Sequence, residues 1–391
     1  MSMQREHPGE PANPPASEPS QADLRALWQG VVGRRSFLRQ LGIAGAAAVP
    51  ASALAAGAAN AQVAEPTAGD IAILRFLAAA ELLETDLWEQ YSELGGAKGG
   101  NPAYVKALEN LDADMPQYVS DNTDDERTHE LFINAYLVSK GAQPVNLDRF
   151  KTLKGSQAKG ANRHRRWMTN LKELNVDTSW YTRYRSTKNP DFGAKFPQAV
   201  TISNQPAIPL NDRDTPPHQH QPVPPKTRHQ KRMQAIANSA GFHFAMIEQG
   251  GSSLYTTLAL QVSNVEVLRI VVSIGGVEVN HFAVWHDKAG NAVNSPLAGV
   301  RDPETGTFFR DLNKSGGEAT QTNLIFPEPA DFLSKSLPQV SVIRPSTPAN
   351  SGALAAVKAL TASGLFKGQS AAFFSTATAL AHAADAAVRS F

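Results

Sequence analysis

Along four long stretches of this chain, hydrophobic residues recur every three to four positions and polar residues lie between them. That period is typical of an α-helix that buries one face. We therefore predict four long helices, at about 67–94, 104–140, 227–260 and 263–287. The residues at the ends of the first stretch support a helix there. Thr67 and Asp70 are typical of a helix start, and Gly95 and Gly96 are typical of a helix end. Together the four apolar faces predict an all-α fold built on a four-helix bundle.

The rest of the chain has a weaker pattern. A long insertion between the second and third helices, 145–226, is basic at its start and rich in proline near its end, so it cannot be one compact helix. After residue 287 the helical period fades. We expect extended pieces at 322–326 and 340–343 and a helical C-terminal tail at 352–364 and 369–390. The apolar residues of this tail predict that it packs on the bundle.

The N-terminal part resembles a twin-arginine signal. The run Gly33-Arg34-Arg35-Ser36-Phe37-Leu38-Arg39 precedes an Ala- and Gly-rich apolar stretch at 41–59. Small residues at Ala59-Asn60-Ala61 predict cleavage after residue 61, with an uncleaved anchor as the alternative. Because the apolar stretch is rich in alanine and interrupted by Pro50, we expect no stable membrane span after cleavage.

Such a signal implies export by the twin-arginine machinery to a periplasmic or extracellular location. That route carries folded proteins, either because they load a metal or cofactor first or because they fold too fast for the unfolded route. The expected organisation is a signal segment at 1–61, a bundle with its insertion at 62–290 and a C-terminal extension at 291–391.

Composition narrows the chemistry. The 37 basic and 36 acidic residues give a formal net charge of +1, so no nucleic-acid partner is expected. The chain has no cysteine, which excludes disulfides, thiolate zinc sites and cysteine nucleophiles. Any metal ion must therefore be held by nitrogen and oxygen ligands.

Carboxylates interrupt the apolar stripe of the first helix. Glu81 and Glu84 stand where this stripe should face the other helices, between Leu77 and Trp88. An unpaired buried carboxylate costs several kcal/mol. Such groups persist when they are paired or bound to a metal, so these glutamates are candidate ligands.

The other three helices carry matching residues. Glu126 and His129 lie three positions apart on one face of the second helix, and Glu278 and His281 repeat this pair in the fourth. The third helix carries Glu248. In chain order the bundle therefore presents Glu, Glu-x-x-His, Glu, Glu-x-x-His, which is the ligand set that holds two carboxylate-bridged metal ions in four-helix bundles.

On these motifs the sequence resembles the ferritin-like superfamily, most closely the bacterial ferritin-like domain proteins with Leu-Glu-x-x-Glu in the first helix. The matching run here, Ala80-Glu81-Leu82-Leu83-Glu84, departs at its first position. The resemblance covers 67–140 and 227–290. It implies a ferritin-like four-helix bundle and two Fe or Mn ions, because both metals suit carboxylate and imidazole ligands.

The resemblance also implies roles for the candidate ligands. These are Glu81, Glu126, His129, Glu248, Glu278 and His281. Glu126 and Glu278 would bridge the two ions, and Glu81 and Glu248 would be terminal ligands. Glu84 is either an acceptor outside the ligand shell or an alternative ligand of the first helix. Tyr255 and Trp88 would line the site or relay electrons, although aromatic residues at this spacing more often serve packing.

Two functional hypotheses follow. The first is an exported oxidoreductase of the peroxidase, catalase or oxidase type, or a metal-handling protein, whose partners are the metal ions and O₂ or peroxide. The second is a metal-free helical scaffold or stress-related protein that uses the fold to bind a partner. A homo-oligomer is compatible with either. The histidines of the insertion, His218, His220 and His229, are a weaker metal candidate because they lie in or beside a proline-rich stretch.

Overall fold

The computed structural model describes residues 65–184, 186–215, 220–316, 327–342 and 347–390. The predicted signal segment and the extended piece at 322–326 lie outside the described residues. Of the second predicted extended piece, Val340 forms an antiparallel bridge with Glu328. The described chain is mainly helical, as the sequence predicts.

Four long helices form the bundle. They are α1 (Ala68–Gly95), α3 (Met115–Ser139), α5 (Arg228–Ala259) and α6 (Val265–Gly290). Helix α1 packs against α3, and α5 packs against α6. Three of the four predicted helices agree closely with the structure. The predicted helix at 104–140 is wrong as a single element.

That predicted helix is divided into α2 (Pro102–Glu109) and α3. Asn101 caps α2 by accepting a hydrogen bond from the backbone N–H of Tyr104 at 3.1 Å. A turn follows α2, and α3 begins with Met115 and Pro116. Proline has no N–H to donate to the preceding turn, so the helix cannot run unbroken through Pro116. The apolar period continues across the turn, which is why it suggests one helix.

Caps fix where the bundle helices begin. Thr67 and Asp70 form a capping box at the start of α1, and Thr227 and Gln230 form another at the start of α5. Asp70 also accepts a hydrogen bond from the backbone N–H of Ser263 at 2.8 Å, just before α6. The start of α1 is therefore joined to the short connection between α5 and α6.

In its described residues the insertion forms two small antiparallel sheets, a 3-10 turn at Asp148–Phe150 and a short α-helix. The elements are β1 (Leu153–Lys154) with β2 (Arg166–Trp167), β3 (Leu174–Val176) with β4 (Ile202–Gln205), and α4 (Trp180–Arg183). Buried Asp86 of α1 accepts hydrogen bonds from the backbone N–H groups of Met168 and Thr169, each at 3.0 Å. The insertion is thus attached to α1 by hydrogen bonds to a buried side chain.

The C-terminal part adds short helices, and the last three of them pack on the bundle. They are α7 (Asn313–Gly316), α8 (Pro348–Ser351), α9 (Ala353–Ala362) and α10 (Ala371–Asp385). Helix α10 packs along α1, and α9 contacts α5. The Asp385 carboxylate accepts hydrogen bonds from the backbone N–H groups of Ala353 and Leu354, which joins the end of α10 to the start of α9.

Helix α6 is apolar as well as central. The stretch Val265–Val293 is long and apolar enough to cross a membrane by length and composition alone. Val267, Val271 and Ile274 are buried against the other helices. This burial is what the core helix of a bundle requires, and the same apolar environment surrounds the polar groups of α6.

Candidate metal centre

Six ionisable side chains meet in the middle of the bundle. They are Glu81 of α1, Glu126 and His129 of α3, Glu248 of α5, and Glu278 and His281 of α6. The four glutamates have no solvent exposure, and the two histidines are 7% and 6% exposed. All four bundle helices contribute, so the cluster can form only when the bundle is assembled.

The cluster divides into two overlapping groups. Glu81, Glu126, His129 and Glu278 form one, and Glu126, Glu248, Glu278 and His281 form the other. In each group, one possible ligand atom from every residue lies within 4.8 Å of the others. Glu126 and Glu278 belong to both groups. Each group could hold one metal ion, with these two carboxylates shared between the ions.

Both imidazole rings direct Nδ1 into the cluster. His129 Nδ1 lies 3.1 Å from Glu126 Oε2 and 3.4 Å from Glu81 Oε2. His281 Nδ1 lies 3.1 Å from Glu126 Oε1 and 3.3 Å from Glu248 Oε2. The two oxygens of Glu126 therefore face opposite histidines. The ring centroids are 6.5 Å apart.

A set of polar side chains holds the cluster from outside. Asn122 donates hydrogen bonds to Glu126 Oε1 at 2.7 Å and to Glu248 Oε1 at 3.1 Å. Trp285 Nε1 in turn donates to Asn122 Oδ1 at 2.7 Å, which fixes the orientation of the amide. One buried amide thus positions the carboxylates of both Glu126 and Glu248.

Two further groups contact the cluster. The hydroxyl of buried Tyr255 donates to Glu81 Oε1. His281 Nε2 lies 3.0 Å from Asp125 Oδ2, a carboxylate that is partly exposed to solvent. A carboxylate on the outer ring nitrogen fixes the orientation of an imidazole and increases the basicity of the inner nitrogen.

The charges of the cluster are strongly coupled. Burial, followed by the charge of the neighbouring Glu248 carboxylate, raises the pKa of Glu126 to about 7, although hydrogen bonds from the histidines act in the opposite direction. Burial, followed by the charge of Glu126, raises the pKa of Glu278 well above its usual range. Buried carboxylates packed this closely bind protons more strongly than in solution.

The histidines shift in the direction expected beside carboxylates. Burial alone lowers the pKa of His129, but the carboxylates of Glu126, Glu278 and Glu81 close to its Nδ1 outweigh burial and raise the pKa to about 12. The pKa of His281 is also raised, because the Glu248 charge and the neighbouring Asp125 and Glu126 carboxylates outweigh burial. Both rings therefore carry a proton when no other cation balances the carboxylates.

Several polar atoms of the cluster form no hydrogen bond with any described residue. They are Glu81 Oε2, Glu248 Oε2, both carboxylate oxygens of Glu278 and His281 Nδ1. Buried acceptors in that state are costly unless a cation satisfies them. These atoms belong to the two groups described above. Oxygen and imidazole donors of this kind suit Fe or Mn, so the residues present fit a metal centre.

Glu84 lies one turn from Glu81 and belongs to neither group. Its side chain is partly exposed and lines a cavity beside the cluster. Burial, followed by the charges of Glu278 and Glu81, raises its pKa well above the usual range. The charges of the cluster therefore act on Glu84, although its side chain lines the cavity.

The other candidate residues of the sequence lie outside the two ligand groups. Trp88 is fully buried and stacks on Trp285 at a centroid distance of 5.4 Å, so it packs the core at the end of the cluster. His220 and His229 are exposed and belong to no described group of possible ligands, and His218 lies outside the described residues.

Sequence reasoning missed Asn122 and Asp125. Asn122 lies one helical turn before Glu126 and so shares its face, a signal that spacing does contain. Asp125 lies on the neighbouring face of α3 and reaches His281 across the gap to α6. No pattern within one helix indicates that contact.

A model of the ferritin-like domain matches residues 69–291. The match covers more than half of the chain, so this chain belongs to the ferritin-like domain family. No match was found among curated proteins or solved structures.

Proposed function

We propose that the chain binds a dinuclear iron or manganese centre and acts as an oxidoreductase, or in metal handling, with O₂ or peroxide. The observation that carries the proposal is the sharing of Glu126 and Glu278 by two groups of possible ligands. Two cations so close together need shared anionic ligands to offset their repulsion. The chain supplies two such carboxylates, Glu126 and Glu278, between His129 and His281.

Each residue has a role in this proposal. Glu126 and Glu278 would be shared by the two ions, Glu81 and His129 would complete one site, and Glu248 and His281 would complete the other. Bound there, the ions would supply redox chemistry toward O₂ or peroxide. Asn122 and Asp125 position Glu126 and His281, so that the ligand atoms meet the ions in one arrangement.

Elemental analysis of purified protein tests this proposal. We expect about two Fe or Mn per chain in the wild type. Glu126→Ala and Glu278→Ala should each lose most of this metal, because each removes a ligand from both sites. Asp121→Ala is the matched control, since Asp121 is an exposed acidic residue on α3 and its loss should leave the metal content unchanged. Equal and negligible metal in all four proteins would contradict the proposal.

Charge balance within the cluster supports a second candidate, a metal-free scaffold that binds a partner. Protonated His129 and His281 already offset part of the carboxylate charge, and the raised pKa values of Glu126 and Glu278 make both carboxylates easier to protonate. Such a network could persist without ions. Protein taken from its native location with no bound metal, yet with the same fold, would support the scaffold.

We also propose export by the twin-arginine machinery, on the strength of the Arg34-Arg35 motif and the small-residue cleavage pattern. N-terminal sequencing of the exported protein should begin at Gln62. Arg34→Lys combined with Arg35→Lys should retain the protein in the cytoplasm. Export of this double variant at the wild-type level would contradict the proposal.

A further inference from the structure

A cavity of about 790 Å³ lies beside the carboxylate–histidine cluster. Its walls come from α1, α5, the insertion and the tail helices α9 and α10. Small-molecule sites in proteins typically have volumes of about 300–1,000 Å³. The cavity therefore has the size of a ligand site.

The inner walls are mostly apolar. Apolar side chains from both the bundle and the tail line the cavity, among them Phe76, Leu83, Leu254, Leu360, Phe373 and Leu380. Water in such a space finds few hydrogen-bond partners, and an empty space leaves the lining side chains without contacts. An apolar occupant satisfies both conditions. Lys195 and Lys358 also line the cavity but are exposed, so they belong to its outer rim.

The cavity reaches the cluster at one wall. Tyr255 lines the cavity, and its hydroxyl donates to Glu81. Gly251 also lines it, and a Cβ at this position would lie 2.1 Å from Glu278 Oε2. One tyrosine side chain and one glycine backbone thus separate the cavity from two residues of the cluster. Glu84 adds a carboxyl group to the same lining.

We propose that this cavity is a binding site for an apolar small molecule, a hydrocarbon chain or ring, whose inner end lies against Tyr255 and Glu84. Binding itself needs no metal, because the lining is formed by side chains alone. That the bound molecule lies next to metal ions rests on the proposed function. The tail helices then form one wall of a ligand site as well as a cover for the bundle.

Fluorescence titration with 1-aminoanthracene, an uncharged apolar probe, tests the site in chelator-treated protein. We expect saturable binding of one probe per chain, displaced by 1-dodecanol. Ala377→Trp should weaken binding at least tenfold, because Ala377 of α10 lines the cavity. Ala379→Trp is the control on the same helix, where the side chain is exposed and outside the lining, and its affinity should equal the wild type.

Ala80→Phe gives an independent test from α1, one turn before Glu84. It should also weaken binding at least tenfold, so the test does not depend on the folding of one variant. Circular dichroism checks that each variant keeps its helices. Absence of saturable binding, or equal affinity in the wild type and both cavity variants, would overturn the proposal.

Loading with Mn²⁺ separates this proposal from the proposed function. A paramagnetic ion beside the cavity should broaden the NMR signals of bound dodecanol, and Glu278→Ala should remove the broadening while dodecanol still binds. Binding without broadening in Mn²⁺-treated wild type would retain the cavity as a ligand site and contradict the metal centre beside it. If Mn²⁺ broadens the protein signals of residues around the cluster but dodecanol does not bind, the metal centre is supported and the ligand site is contradicted.

Discussion

Glu126 contacts both histidines of the cluster through its single carboxylate. Its two oxygens face two histidines that belong to different ligand groups, and Asn122 binds one of those oxygens. Without a metal, protons supply the positive charge in this space. The metal-free and metal-bound forms therefore differ in how many protons the cluster holds.

The stability of the metal-free protein should fall as pH rises. Glu126, Glu278, His129 and His281 all bind protons more strongly in the folded chain, since their pKa values are raised. Each stabilises the fold fully below its unfolded pKa and loses this effect as pH rises through its folded pKa. For Glu126 that window runs from 4.5 to about 7. The histidines continue the loss toward alkaline pH.

Thermal unfolding of chelator-treated protein between about pH 5 and pH 8 measures this effect. Glu126→Gln is the informative comparison, because it removes one titrating group with little change of shape and should make the decline shallower. A midpoint that rises over the same range in the wild type would contradict the prediction.

Metal binding should release protons. The ligands must be deprotonated to bind an ion, and the raised pKa values show that several hold protons beforehand. The apparent affinity for Mn²⁺ should therefore increase with pH. Calorimetric titration in two buffers of different ionisation enthalpy counts the protons released. No dependence on the buffer would contradict the prediction, and Asp121→Ala should behave as the wild type.

At the scale of elements, two glycines set the distance between α5 and α6. A Cβ at Gly251 would lie 2.1 Å from Glu278 Oε2, and a Cβ at Gly275 would lie 2.8 Å from Tyr255 Cβ. Both glycines are helical, where glycine costs about 0.5–1 kcal/mol relative to alanine. The close approach of the two helices at the cluster offsets that cost.

Gly251→Ala should therefore reduce metal content and lower the thermal midpoint, because the new methyl group displaces the Glu278 carboxylate. Gly276→Ala is the matched control, since a Cβ there meets nothing within 4 Å. The control should keep its metal and gain about 0.5–1 kcal/mol in free energy of unfolding. Metal content and chemical denaturation of both variants check this. Wild-type metal content in Gly251→Ala would contradict it.

Buried Asp86 is one of the side chains that attach the insertion to α1. Asp86 accepts hydrogen bonds from Met168 N, Thr169 N and Thr169 Oγ1. Asp86→Ala leaves these donors unsatisfied, which costs about 1–3 kcal/mol for each buried polar group. We expect faster hydrogen exchange at the Met168 and Thr169 amides, with the bundle amides unchanged. Protection at wild-type levels would show that other contacts hold the insertion.

The helices and the ligand groups differ in how far sequence could predict them. The bundle helices were predictable because the apolar period and the capping residues Thr67 and Thr227 act within one element. The Glu-x-x-His pairs were predictable for the same reason. The turn before Pro116 was missed because the period crosses it, although proline itself indicates a helix start. The strands of the insertion depend on contacts such as that of Asp86, which no local pattern records.

At the scale of the whole molecule, the C-terminal tail links the outer cover to the bundle. Gln261, just after α5, donates hydrogen bonds to the backbone oxygens of Asp385 and Ala387. The Asp385 side chain also caps α9. Hydrogen bonds therefore join the tail to the bundle, and we expect a cation bound at the centre to stabilise both.

Metal and fold should be coupled in the unfolding equilibrium. An ion that binds only the folded chain stabilises it by about 2.7 kcal/mol at a free concentration one hundred times its Kd. The cluster needs all four bundle helices, so the unfolded chain offers no equivalent site. We expect Mn²⁺ to raise the thermal midpoint of chelator-treated wild type and not that of Glu278→Ala. Differential scanning calorimetry measures both. Equal midpoints with and without Mn²⁺ in the wild type would favour the metal-free scaffold, because a ligand that binds the folded chain must shift its unfolding.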